Sequence, residues 1–275
     1  MKKGIFYLLL SIGLLFTVGC NNDDDGSIAK TLIQAFDVAL NTSNSIPAVT
    51  GRNETGNITM DLFDDNSLEF TITINNLSST DELIASHIHN GDLVSTGGIE
   101  ITLVDAIDIS YSGNTASGTV MLTASQISAL QGDDVYVNVH STEFPSGLVR
   151  GQIDKTISNA YNVALSPLNE VPPVMGRSER GNAYFRLVGS DMYYKVAVTD
   201  LQATDAIIGG HIHEGMPIEN GGVIIDLEIT DNTQLDITKN ITLGSVELDK
   251  VKNAQVYVNI HSNQEPAGLL RGQIR

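Results

Sequence analysis

Asn57-Ile58-Thr59-Met60-Asp61-Leu62-Phe63-Asp64-Asp65-Asn66-Ser67-Leu68-Glu69-Phe70-Thr71-Ile72-Thr73-Ile74 alternates polar and apolar residues on both sides of an acidic turn. Successive side chains of a β-strand point to opposite faces, so a period of two predicts a hairpin. Its buried face would carry Ile58, Met60, Leu62, Leu68, Phe70, Ile72 and Ile74. The pattern recurs from Ala183 to Val188 and from Tyr193 to Val198, around Gly189-Ser190-Asp191. Short strands between turn signals, with no long helical period, predict an all-β fold: a β-sandwich of Greek-key or immunoglobulin-like type. One short helix per copy is expected, Ala124 to Leu130 capped by Thr123 and stopped by Gly132, with a weaker counterpart over Val246 to Asn253.

Outward from the hairpin, the chain is written twice. Phe36-Asp37-Val38-Ala39-Leu40 reappears as Tyr161-Asn162-Val163-Ala164-Leu165, and Gly51-Arg52-Asn53-Glu54 as Gly176-Arg177-Ser178-Glu179. Ser86-His87-Ile88-His89-Asn90-Gly91 matches Gly210-His211-Ile212-His213-Glu214-Gly215. Val135-Tyr136-Val137-Asn138-Val139-His140-Ser141 matches Val256-Tyr257-Val258-Asn259-Ile260-His261-Ser262. The copies are too long for solenoid units, so they predict two tandem domains, 31–154 and 160–275, joined by a linker at 155–159. Gly56, Gly181, Gly91 and Gly215 are expected to serve turns.

Ahead of the first copy, Lys2 and Lys3 precede an apolar run from Ile5 to Val18, and Gly19 stands before Cys20, the only cysteine. The run is too short for a membrane span and has the three parts of an export signal. Thr17-Val18-Gly19-Cys20 resembles a lipobox, which implies cleavage of a 1–19 signal and lipidation of Cys20. Residues 20–30 then form an acidic tether containing Asp23-Asp24-Asp25, and the protein is expected in the cell envelope, on the outer membrane and exposed at its surface. Removing Lys2 and Lys3 leaves 13 of the 15 Lys and Arg against 33 Asp and Glu, a net charge of about −20. Such a field excludes nucleic acid as a partner and makes the lipid anchor, not charge, the expected membrane contact.

All six histidines fall at three matched positions: His87 with His211, His89 with His213, and His140 with His261. Residues i and i+2 of a strand share a face, so His87 and His89 can converge on one ion, and His140 can join from the polar face of a second strand beside Tyr136 and Asn138. Three neutral imidazoles suit copper or zinc rather than calcium or magnesium. The alternative is a polar strand end whose ring N–H groups bond to backbone carbonyls. Arg150 and Arg271 follow the third histidine, beyond Pro145-Ser146-Gly147 and Pro266-Ala267-Gly268. They read either as anion- or substrate-contacting groups beside a metal or as strand arginines paired to carboxylates.

The His-Ile-His-x-Gly segments, the Tyr-Val-Asn-(Val/Ile)-His-Ser strands and the Pro-x-Gly-x-x-Arg-Gly-Gln-Ile segments resemble the CHRD domain, a module named from chordin. With them go Ile46-Pro47 and Val171-Pro172-Pro173. That family is itself similar to copper,zinc superoxide dismutase, which implies a superoxide dismutase-like sandwich. It also implies copper ligands at His87, His89 and His140 and at His211, His213 and His261, with Arg150 and Arg271 over the metal. No histidine lies between His89 and His140 or between His213 and His261, so the bridging ligand and histidine zinc ligands of that enzyme are missing, as is its disulfide. The expectation is therefore an anchored binding protein holding one copper or zinc ion per domain, with no catalytic residue assigned. Its rivals are a metal-free structural or adhesive surface module with a cell-surface protein partner, and a copper-only superoxide dismutase-like enzyme.

Overall fold

The computed structural model describes residues 29–275 except 106 and 133. The first repeat contains β1 (Leu32–Asn41), β2 (Thr55–Phe63), β3 (Ser67–Asn75), β4 (Leu83–Asn90), β5 (Ile99–Val104) and β6 (Thr115–Met121). Helix α1 (Ala124–Gly132), β7 (Val135–Ser141) and β8 (Val149–Gln152) complete it. The second contains β9 (Asn159–Leu165), β10 (Arg180–Val188), β11 (Asp191–Thr199), β12 (Ile207–Glu214), β13 (Val223–Asp226) and β14 (Lys239–Thr242). Helix α2 (Ser245–Asn253), β15 (Val256–Ser262) and β16 (Leu270–Gln273) close the chain.

The quoted hairpin forms as β2 and β3, with Ile58 opposite Ile72 and Met60 opposite Phe70, and Asn66 turning the chain at φ 67. Its seven apolar side chains are each at most 4 % exposed. A slip of one residue would turn all seven to solvent, at ~1.5–3 kcal/mol for each, so burial fixes the register. The second repeat does the same with Ala183, Phe185, Leu187, Met192, Tyr194 and Val196.

In the second repeat two four-stranded sheets, β14-β11-β10-β9 and β13-β12-β15-β16, carry the core between them. The first repeat uses the same two sets, β6-β3-β2-β1 and β5-β4-β7-β8, which meet at one corner where Asn41 pairs with Arg150. That single pair makes one continuous eight-stranded sheet, and its counterpart is the isolated bridge between Ser166 and Arg271. The sandwich is thus present twice. Helix α1 opens on a capping box: the Gln126 side chain accepts from Thr123 N–H, and Gln126 N–H donates back to Thr123 Oγ1. Helix α2, after Gly244, has no side-chain cap.

Residues 31–275 form one compact unit, although each repeat has its own core. Apolar side chains of β10 face that core, so Arg186 emerges on the opposite face, where the first repeat buries it completely. Its Nη2 donates to Asn44 O (3.2 Å) and to Asn162 Oδ1 (2.8 Å), while Asn162 Nδ2 donates to Ser43 O (3.0 Å). A one-turn 3-10 segment of the first repeat, Thr42–Asn44, is therefore held against the outer face of the second.

Candidate metal centre

β4 and β7 pair antiparallel, placing His87 opposite Asn138, His89 opposite Tyr136 and His140 opposite Ala85. Ile88, Val137 and Val139 point into the core with no exposed surface, so alternation turns the three histidines together onto the other face. His140 is the diagonal neighbour of His87, and their Nδ1 and Nε2 atoms lie 3.0 Å apart. β12 and β15 repeat the arrangement, with His211 opposite Asn259 and His213 opposite Tyr257. Ring centroids are 5.6, 4.9 and 5.9 Å apart in the first cluster and 5.8, 5.0 and 6.2 Å in the second. The structure brings together all six sequence-predicted histidines as two groups of three.

The outer nitrogens are fixed by loop carbonyls. His89 Nδ1 donates to Gly97 O (3.1 Å) and His140 Nδ1 to Pro145 O (3.0 Å); His213 and His261 donate likewise to Gly221 O (3.0 Å) and Pro266 O (3.2 Å). A carbonyl only accepts, so Nδ1 carries the hydrogen in these four rings and Nε2 presents a lone pair. His89 Nε2, His213 Nε2, His261 Nε2 and His211 Nδ1 are buried with no partner. In each cluster one ligand atom per histidine lies within 4.8 Å of the other two. An ion bound at ~2.1 Å in tetrahedral geometry holds nitrogens ~3.4 Å apart, a contraction within reach of ring rotation, and the donor set fits copper or zinc.

Burial favours the neutral form of His87, His89, His140, His213 and His261, the form that ligation requires. It pushes His87 down to about 4, helped by His140 and His89, and lowers His89, His140, His213 and His261.

The two loops that supply carbonyls to His89 and His213 depend on the glycines themselves. A Cβ at Gly97 would sit 2.2 Å from Asn90 O, and one at Gly221 only 1.4 Å from Glu214 O. These positions were legible as the Gly-Gly pairs 97–98 and 221–222, one in each copy. Gly56 and Gly181, by contrast, lie within β2 and β10, where a Cβ would meet Thr73 O at 2.6 Å and Ala197 O at 2.7 Å. Close backbone approach, not a turn, explains them.

The arginines occupy a different place from the one expected beside a metal. β7 lies between β4 and β8, and on it Tyr136 stacks its ring on His89 (5.2 Å, 10°) while the Arg150 guanidinium covers the ring at 3.4 Å. Tyr257 stands in the same way between His213 (5.0 Å, 9°) and Arg271 (3.5 Å). Arg150 is 1 % exposed, donates to Asp92 O, and is pushed down to about 10 by burial. Arg271 donates to Asn220 Oδ1, Met216 O and Glu219 O. Among the described residues neither forms an ion pair with a carboxylate. Both pin the loop that follows the His-x-His strand.

Sequence reading missed a buried clamp on the other side. Arg52 binds Glu54 and Asp81 (2.7 Å to Asp81), and Asp81 Oδ1 accepts from Glu143 N–H and Thr142 Oγ1. Burial alone would raise the Asp81 carboxyl, but hydrogen bonds led by the Glu143 N–H hold it down at about 2. Arg177, Glu179 and Asp205 repeat the clamp, with Asp205 accepting from Ser262 Oγ and Gln264 N–H. It fixes the turn that supplies the Pro145 and Pro266 carbonyls. The matched Arg-x-Glu segments at 52–54 and 177–179 were its signal.

No curated protein and no solved structure matches this chain. The CHRD domain profile matches residues 36–153 and again residues 161–274, together most of the chain. The protein therefore belongs to the CHRD domain family and carries two tandem copies of that domain.

Proposed function

We propose that this chain is an extracytoplasmic, lipid-anchored binding protein whose CHRD domains each hold one copper or zinc ion through three histidines. The observation that carries this reading is the pair of preorganised clusters, in which four nitrogens are buried without a partner and four rings are oriented by carbonyls. A hydrogen bond from the ring nitrogen that faces away from the cluster sets the tautomer and the direction of the ligand lone pair. His87 or His211 would ligate through Nδ1, the other four histidines through Nε2, and a fourth position would be left to water. The bound ion would supply Lewis acidity or, for copper, one-electron chemistry; the chain's own residues bind and orient it. The anchor at Cys20 and the envelope location belong to the same proposal, since residues 1–28 lie outside the described residues. Among the described residues no helix is long and apolar enough to cross a membrane.

The ring N–H to carbonyl bonds of both repeats are also what the structural alternative expects, and a further observation favours that alternative in the first repeat alone. His87 Nδ1 and His140 Nε2 satisfy each other at 3.0 Å, which the matching pair in the second repeat does not do. Metal analysis of protein purified without the signal decides between them. Two ions per chain are expected, falling to one in either His89→Ala or His213→Ala and to none in the double variant. Metal-free protein that binds neither copper nor zinc at micromolar concentration, while keeping its fold, would leave the structural module as the better reading.

A further inference from the structure

The matched 3-10 turns of the two repeats, Thr42–Asn44 and Pro167–Asn169, have the same shape and opposite surroundings. Each follows a capping side chain, Asn41 or Ser166, and each ends on an extended residue, Ser45 (φ −66) or Glu170 (φ −64). In the first repeat the carbonyls of Ser43, Asn44 and Ser45 receive Asn162 Nδ2, Arg186 Nη2 and again Asn162 Nδ2. At the counterparts Leu168, Asn169 and Glu170, no donor among the described residues reaches the carbonyls. Leu168 stands 54 % exposed beside Ile218 at 81 %, and together with Val171, Pro173 and Pro217 they line a groove of about 460 Å³.

Glu170 stands in the groove wall where the first repeat has Ser45, whose hydroxyl donates to Leu148 O. A carboxylate cannot donate in that way. Glu170 is 5 % exposed, its Oε1 is unpartnered, and no donor among the described residues reaches its carboxyl group. Arg271 also lines the groove, but its Nη groups are taken by Asn220, Met216 and Glu219. What remains is a turn of the shape that an arginine-bearing surface grips elsewhere in this molecule, with an apolar rim and an unpaired carboxyl.

We propose that the Pro167–Pro173 turn is a docking surface for a polypeptide partner that presents an arginine flanked by apolar side chains. The matching face of a second copy's first repeat does not meet that description. At the positions matching Arg186 and Asn162, the first repeat carries Asp61 and Asp37, which would set carboxylates against the free carbonyls and Glu170.

The probe is the peptide acetyl-Leu-Arg-Leu-amide, titrated into isotope-labelled protein lacking the signal and followed by amide chemical shifts. Saturable shifts confined to the amides of 168–171 and 218 are expected, since the prolines of the turn carry no N–H. They should weaken at least about tenfold when citrulline, which has the same shape without the charge, replaces the arginine, and likewise in Glu170→Ser, because charge-assisted hydrogen bonds are the strong ones. Serine is the residue of the first repeat at this place, and unchanged shifts elsewhere in the spectrum report that the variant folds. Equal binding of the citrulline peptide, shifts centred outside the groove, or no saturable shift would overturn the proposal. So would a dimer of the intact chain that Glu170→Ser abolishes, since that would make the occupant a second copy.

Discussion

Replacing Arg186 tests whether the repeats act as one body. Its guanidinium donates to Asn44 O, Asn162 Oδ1, Tyr161 O (3.1 Å) and Phe185 O (3.0 Å), and no carboxylate among the described residues pairs with it. Burial pushes it down to about 9, so it remains charged at neutral pH at a desolvation cost. Arg186→Ala relieves that cost but strands Asn44 O and Asn162 Oδ1 at the interface, at ~1–3 kcal/mol each. It also opens a cavity. Desolvation of a buried ion is itself worth several kcal/mol, so the terms partly cancel and the net loss is about 2–4 kcal/mol. Arg186→Met fills most of the volume and is expected to lose about half as much. Scanning calorimetry should show one transition for the native chain. For Arg186→Ala it should show a fall of roughly 5–15 °C, at 2–4 °C per kcal/mol, with the transition split because each repeat retains its own core. If Arg186→Ala unfolds in a single transition within about 1 kcal/mol of the native protein, the interface does not depend on this side chain.

Three further outcomes follow from the site and the N-terminus. Five histidines have folded-state values lowered below 6.5, to about 4 for His87, so the unfolded chain takes up protons first. The metal-free fold should be fully stabilised above pH 6.5 and lose melting temperature as pH falls toward 4. Glu170, raised to about 7 by burial, acts oppositely, its contribution being lost as pH rises through 7, but one carboxyl is outweighed by five imidazoles; a flat or rising melting temperature between pH 6.5 and 4.5 would refute this. Gly221→Ala forces its loop away from Glu214 O, so calorimetry should find the second ion bound at least about tenfold more weakly, with the first unchanged. Cys20→Ser should move the protein from the membrane fraction to the soluble one, as measured by fractionation; its recovery with membranes would refute acylation.

The strands were legible because one face of each is buried, and burial is written as alternation. The histidine clusters were legible for the same reason: His87 and His89 share a face by period, and the Tyr136, Asn138, His140 face was polar in a strand otherwise made of valine. The pairing of β4 with β7 could not be read, since register between distant strands is a tertiary property. Nor could the place of Arg150 be read. A metal-side arginine and a loop pin carry the same residue at the same distance along the chain. They differ only in whether β8 lies beside β4 or beyond β7, with Tyr136 between.

Duplication sharpens this division. Residues that match between repeats serve what each domain does alone: the three histidines, the tyrosine behind them, and the Arg-x-Glu clamp with Asp81 or Asp205. Three residues that differ at matched positions lie instead at the contact between the repeats or at the turn that matches it. Arg186 stands where the first repeat has Asp61, Asn162 where it has Asp37, and Glu170 where it has Ser45; the first two form the interface and the third lines the groove at its counterpart. Reading the copies for likeness alone therefore finds the candidate centres and overlooks the interface. One further consequence is physical. Because Asp61 and Asp37 would face carbonyl oxygens in a head-to-tail stack, the same differences that join the first repeat to the second also oppose propagation of this contact to another chain.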